Sequence, residues 1–162
     1  MPDERLLGIY LNDHLALATA AERLARRMCK ANADTDLGRT LERLAAELAE
    51  ERVVVTRVIE ALGHRRSRVK PVAAAAGERL GLLKLNGRLT SYSPLSRVLE
   101  LEGLGALLGF NSSLWRTLQE TEPLAARLDG VVDLDRLTER ADERRAQVER
   151  FRPKAARTAF VG

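Results

Sequence analysis

Two apolar seams run through the first sixty residues of this chain at alternating steps of three and four. Leu7, Tyr10, His14, Leu17, Ala21, Leu24 and Met28 form the first, and Leu37, Leu41, Leu44, Leu48, Glu51, Val55, Val58 and Leu62 the second. That spacing keeps side chains on one stripe of an α-helix, whereas a half-buried strand would need alternation by two. Each seam carries one ionisable residue where a hydrophobe belongs. His14 and Glu51 are therefore expected to point inward, and the pattern predicts a helical bundle with a polar contact inside it.

The rest of the chain agrees with an all-α class. Hydrophobic residues make up 45% of the 162, but aromatics only 4%, and Gly and Pro are sparse between long periodic stretches, a composition that favours helices over strands. This length suits one domain, spanning 1–162, able to bury about two thirds of the surface of its unfolded form. No apolar run approaches the ~20 residues of a membrane span. The opening MPDERLLGIY is too acidic for a signal peptide, so a cytoplasmic protein is expected. The single cysteine, Cys29, has no partner for an intramolecular disulfide and reads as an inert thiol. The 27 basic and 23 acidic residues are interspersed, which describes a solvated helical surface rather than a concentrated field.

Punctuation divides the chain into helices. The first is expected from Asp3 or Glu4 to Ala31, with Asn32-Ala33-Asp34 as a turn in which Asp34 caps the second helix. That helix runs to Leu62 and ends at Gly63. Pro71 suits the first turn of a third helix, reaching Leu89. Ser93-Pro94 is the strongest start signal, opening a fourth helix to about Gln119. Residues 122–132 read as irregular, and Asp133 caps a fifth helix, bent or restarted at Pro153. A short first turn makes helices one and two an antiparallel hairpin whose facing residues have numbers summing to about 66. His14 and Glu51 sum to 65, so the two are expected to meet as a buried polar pair in which each favours the charged form of the other. A second hairpin about Ser91 would set Gly77 against Gly105 and Ala73 against Gly109 as close-packing positions.

Two kinds of chemistry are open to these residues. A metal, iron or manganese, could use His14, Glu47, Glu51 and Glu102. Di-metal bundles, however, place a glutamate on each of two helices and Glu-x-x-His on each of the other two, and here Glu47-x-x-Glu50 has glutamate where the histidine belongs. A satisfied pair that fixes helix register is the favoured reading, with no cofactor. Arg65, Arg66 and Arg68, in the run His64 to Lys70 beside a helix start, could contact phosphate or nucleic acid. Aromatic stacking platforms are missing around them, which favours a solvated loop. Trp115, with Leu114 and Leu118, continues the stripe Leu101, Leu104 and Leu108 and reads as core.

Three segments carry a resemblance. Tyr10-Leu11-Asn12-Asp13-His14-Leu15, Gly81 to Leu89 (GLLKLNGRL) and Ser93 to Glu102 (SPLSRVLELE) resemble an uncharacterised actinobacterial group of small ferritin-like helical proteins, over roughly Tyr10 to Phe160. The resemblance implies a ferritin-like four-helix bundle with an additional C-terminal helix. In the wider superfamily it also implies carboxylate-bridged metals used in oxidation or iron storage, but neither Glu-x-x-His motif is present here. Ferritin-like bundles connect helices two and three by a long crossover, and residues 63–70 span only about 25 Å when extended. Either helix three is partly the crossover, or the bundle is up-down-up-down. The reading that results is a non-catalytic interaction or structural protein, a homodimer able to take a further protein partner, with a di-iron-like redox protein and a weak nucleic-acid binder as alternatives.

Overall fold

The computed structural model describes residues 3–66 and 92–161, and every described element is helical. The helices are α1 (Glu4–Ala31), α2 (Asp36–Ala61), α3 (Pro94–Glu120), α4 (Glu122–Leu128), α5 (Leu134–Glu149) and α6 (Arg152–Phe160). The expected third helix, with its facing positions Ala73 and Gly77, lies outside the described residues. Among the described residues no helix is long and apolar enough to cross a membrane.

Local chemistry explains the boundaries. Asp3, Thr35, Ser93 and Asp133 each accept a hydrogen bond from the backbone N–H three residues on, at 2.9 to 3.1 Å, satisfying a donor that the first helical turn leaves free. The cap of α2 differs from expectation. Asp34 takes a left-handed conformation with φ 63°, which turns the chain early and hands the capping role to Thr35. Gly63, at φ 79°, ends α2 in the left-handed conformation expected of it. Residues 122–132 are more ordered than the sequence suggests: Pro123 sits in the first turn of the short helix α4, where its missing N–H costs nothing. The chain breaks between α5 and α6 at Arg150 and Phe151, just before Pro153.

Among the described residues four long helices share the core. α1 packs on α2 and on α3, and α3 packs in turn on α5 and α6. Two hydrophobic clusters are stacked along the bundle. One joins Ala21, Leu24 and Met28 to Leu41, Leu44, Leu48, Leu101, Leu104, Leu108, Val148 and Ala155. The other joins Leu7, Leu11 and Leu15 to Val55, Val58, Ile59, Leu114, Trp115, Leu118, Leu128 and Ala141. The order of residues through the clusters shows that α1 is antiparallel to α2 and α3, while α2 and α3 are parallel. Tyr92, just before α3, bonds Asn32 at the far end of α1, whereas Leu62 at the end of α2 bonds Arg127 beside Glu4. Those two ends are separated by the length of the 28-residue α1, about 40 Å at 1.5 Å per residue. Both connectivities expected from the sequence have this parallel pair; what distinguishes them lies in residues 67–91, outside the description.

The α1–α2 turn depends on a glycine. A Cβ at Gly38 would stand 2.1 Å from the Asn32 carbonyl oxygen, so the two backbones approach closer than any side chain permits. The expected facing of Gly105 and Gly109 with Gly77 and Ala73 lies outside the described residues. Among the described residues a Cβ at Gly105 would meet nothing within 4 Å, and one at Gly109 only the Arg145 side chain at 3.9 Å, and both glycines line an open groove between α3 and α5.

Candidate functional site

Between the two apolar clusters lies a polar layer. Glu51 on α2 reaches it between Leu48 and Val55, Asn111 and Trp115 on α3 between Leu108 and Leu118, and Arg144 on α5 between Ala141 and Val148. Glu51 is 2% exposed, Trp115 0% and Arg144 3%, so all three are sealed from water. The Trp115 indole Nε1 donates to Glu51 Oε1 at 2.6 Å, and Asn111 Nδ2 donates weakly to Oε2 at 3.5 Å. Arg144 Nη1 donates to Glu51 Oε2 as well. The Arg144 Nε donates to Glu47 Oε2 at 2.9 Å, and Glu47, one turn before Glu51, reaches toward solvent.

The electrostatics follow from burial and donors. Burial pushes the Glu51 carboxyl above its ordinary range, opposed by the Arg144 charge and then by the Trp115 hydrogen bond. Every group that touches its oxygens is a donor, so the site fits the carboxylate rather than the acid. A buried ion pair of this kind adds little net stability, because desolvating both charges offsets their attraction. Its effect is on geometry. Sliding α5 by one turn would strand the Arg144 guanidinium among apolar side chains, at a cost of about 3–5 kcal/mol, so the layer sets where α5 docks on α2 and α3.

His14 is buried as expected, at 6% exposed, but it does not meet Glu51. Its ring stacks edge-on against Tyr10, with centroids 4.4 Å apart, and lies 6.4 Å from the ring of Phe110 on α3. Its Nδ1 is buried with no hydrogen-bond partner among the described residues. Burial pushes the imidazole below its ordinary value, against a smaller upward pull from Asp13. Contacts across the hairpin keep numbers near the expected sum, 67 for Cys29 with Gly38 and 68 for Glu4 with His64, so the expected pair is separated by what each side chain faces rather than by a shifted register. Glu51 is claimed by a cation 93 residues away, for which the hairpin geometry had no place.

The four residues weighed as metal ligands are not brought together. Glu47 and Glu51 share Arg144, His14 faces aromatic rings, and Glu102 is exposed in the α3–α5 groove with Arg145 and Arg152. Among the described residues no three His, Cys, Asp or Glu side chains are placed to hold one ion. Of the basic loop, Arg65 and Arg66 are exposed, while Arg68 lies outside the described residues. The Arg65 carbonyl accepts from Asn12 Nδ2 at 3.1 Å, which ties this loop to α1 through its backbone. Cys29 is half-buried, its thiol 3.6 Å from the Gly38 carbonyl.

Arg144 and Asn111 are the site residues that sequence reasoning missed. Both carry the signal that singled out His14 and Glu51. Arg144 interrupts the buried stripe Ala141 to Val148, and Asn111 interrupts Leu104, Leu108, Leu114 and Leu118. The polar character of α5 as a whole, rich in Glu, Asp and Arg, hides one inward arginine among many outward ones. Comparison with models of known families, with curated proteins and with solved structures finds no match to this chain.

Proposed function

We propose that this chain is a single-domain, ferritin-like four-helix bundle with an additional C-terminal helix, working through its surface as a non-catalytic interaction or structural protein. The observation that carries this reading is the use made of Glu51. The acid placed deepest in the bundle, where a metal-dependent relative would need a ligand, has both oxygens occupied by protein donors. A carboxylate held this way and sealed from solvent offers no open position to a metal or a substrate unless the helices part. Its work is to align helices. The surface supplies the contact chemistry: Phe160 and Val161 at the end of α6 are 68% and 81% exposed, and Leu6 near the start of α1 is 53% exposed. Apolar side chains of that size left in water are the usual material of protein interfaces, and a cytoplasmic homodimer is the assembly we assign to them.

Metal analysis of protein purified without an affinity tag tests the interior. The expected result is less than a tenth of an equivalent of iron or manganese; a stoichiometric metal lost in Glu51→Ala would replace this reading with a redox one. Sedimentation velocity tests the surface. A dimer that dissociates when Phe160 and Val161 are both changed to Ser supports it, and a monomer at every concentration up to 100 μM, ~10⁻⁴ M on the affinity scale, refutes the homodimer.

A further inference from the structure

We propose that the first turns of α2 and the break between α5 and α6 form a binding site for a phosphate monoester. An open pocket of about 420 Å³ lies there, lined by Asp36, Arg39, Thr40, Arg43, Arg150 and Phe151. It is at the opposite end of the bundle from the loop that carries Arg65 and Arg66. Arg39 and Arg43 are four residues apart on α2 and so share a face. Arg150 is delivered from across the bundle because the helix stops at Phe151, ahead of Pro153. Three arginines and one carboxylate line the pocket, and that carboxylate, Asp36, is held by Arg39. Neither Arg43 nor Arg150 pairs with an acid among the described residues; the one contact made by the Arg150 guanidinium is with the Phe151 ring, 5.9 Å from its centroid.

Thr40 is the second, independent sign of a ligand. It is only 6% exposed, yet its hydroxyl makes no hydrogen bond among the described residues. Helical threonines normally return the hydroxyl to the carbonyl four residues back, and Thr19, Thr56, Thr138 and Thr158 do so here at 2.8 to 3.1 Å. Thr40 keeps its hydroxyl free at the wall of a basic pocket. The hydroxyl is not a buried unpaired atom; it stays open to the water of the pocket, and a ligand acceptor atom could replace that water. The donor set selects the chemistry. Guanidinium forks match the paired oxygens of phosphate, two cations without acidic partners match a dianion, and the flat Phe151 face offers contact to the organic part of an ester.

Calorimetric titration of the whole chain with inorganic phosphate and with phenyl phosphate, at pH 7.5 and low salt, tests the site. The expected result is saturable binding of both, tighter for phenyl phosphate. Arg43→Gln and Arg150→Gln, each removing one charge from an exposed position, are expected to weaken binding about tenfold. Thr40→Val, which keeps the shape and deletes the hydroxyl, is expected to weaken it severalfold without lowering the melting temperature. Arg65→Gln, at the far end, leaves it unchanged. Absence of saturation at millimolar phosphate would overturn the proposal, as would equal affinity in the arginine variants. Binding confined to a single-stranded oligonucleotide would overturn it too, because the ligand would then be a polymer recognised along its backbone.

Discussion

Replacing Arg144 by methionine removes the cation from the polar layer while keeping most of its aliphatic stem. Glu51, 2% exposed, then keeps the Trp115 indole at 2.6 Å and the weak Asn111 contact at 3.5 Å but has no bonded counter-charge, only the field of Arg140. Breaking a buried pair by removing one partner costs about 3–5 kcal/mol, and the retained indole bond places this case near the lower end. For a chain of this size 3 kcal/mol corresponds to a fall of about 6–12 °C in melting temperature. Glu51→Gln is the matching partner, since its amide oxygen still accepts from Trp115 and so avoids orphaning a wholly buried indole. Alone it leaves Arg144 with Glu47, and a loss of about 1–3 kcal/mol is expected. With both changes the layer holds no unpaired charge, so the double variant is expected to lose about 2 kcal/mol less than the sum of the single losses. Urea unfolding at pH 7 measures this, read by far-UV circular dichroism and by the fluorescence of Trp115, the one tryptophan in the chain. Coincident transitions at the two probes establish that unfolding is two-state. Losses that add within about 0.5 kcal/mol, or an Arg144→Met loss under about 1 kcal/mol, would refute the claim that Arg144 neutralises Glu51 in the core.

His14 predicts an acid sensitivity of definite sign. Its folded-state pKa is depressed by burial, so as pH falls below the unfolded value of about 6.5 the unfolded chain takes up a proton that the folded chain refuses, and stability drops until the lower folded value is passed. His14→Leu, which deletes the unpaired Nδ1, is expected to be neutral or stabilising at pH 7 and to flatten that part of the stability–pH curve; an unchanged slope between pH 6.5 and 5 would contradict it. Gly38→Ala is expected to destabilise by about 2–3 kcal/mol, because its new Cβ is forced against the Asn32 carbonyl, and a melting temperature within 2 °C of wild type, below the ~2–4 °C expected per kcal/mol, would contradict that contact. Gly105→Ala, whose new Cβ meets nothing within 4 Å among the described residues, is expected to stabilise by about 0.5–1 kcal/mol in the same melting assay, and a loss would show that this position is closely packed.

Much of the secondary structure was legible before any coordinates, because the signals that set it are local. The three-and-four spacing, the caps at Ser93 and Asp133, and the left-handed stop at Gly63 all act within a turn of the residues concerned. The burial of His14 and Glu51 was legible for the same reason, since position on an apolar stripe decides which way a side chain points. The short helix α4 is not legible in the sequence, because Pro123 can break a helix or start one. In a first turn it is a starter, and only the position of Thr121 decides between the two.

What the sequence could not decide was the partner of each inward polar group. Periodicity reports a direction relative to one helix axis, but contact depends on the axial register and rotation of two helices against each other, set by packing summed over the whole interface. The α1–α2 turn kept facing numbers near the expected sum, yet His14 lies against the Tyr10 and Phe110 rings, and its pairing with Glu51 dissolved. Arg144 then reached Glu51 from a helix that begins 83 residues further along, at Leu134. A desolvated carboxylate must find a counter-charge somewhere in the core, and only the tertiary structure selects which cation arrives. The sequence by itself determined that this chain is helical and that an acid lies inside it; the packing of α5 determined that the acid is held by an arginine.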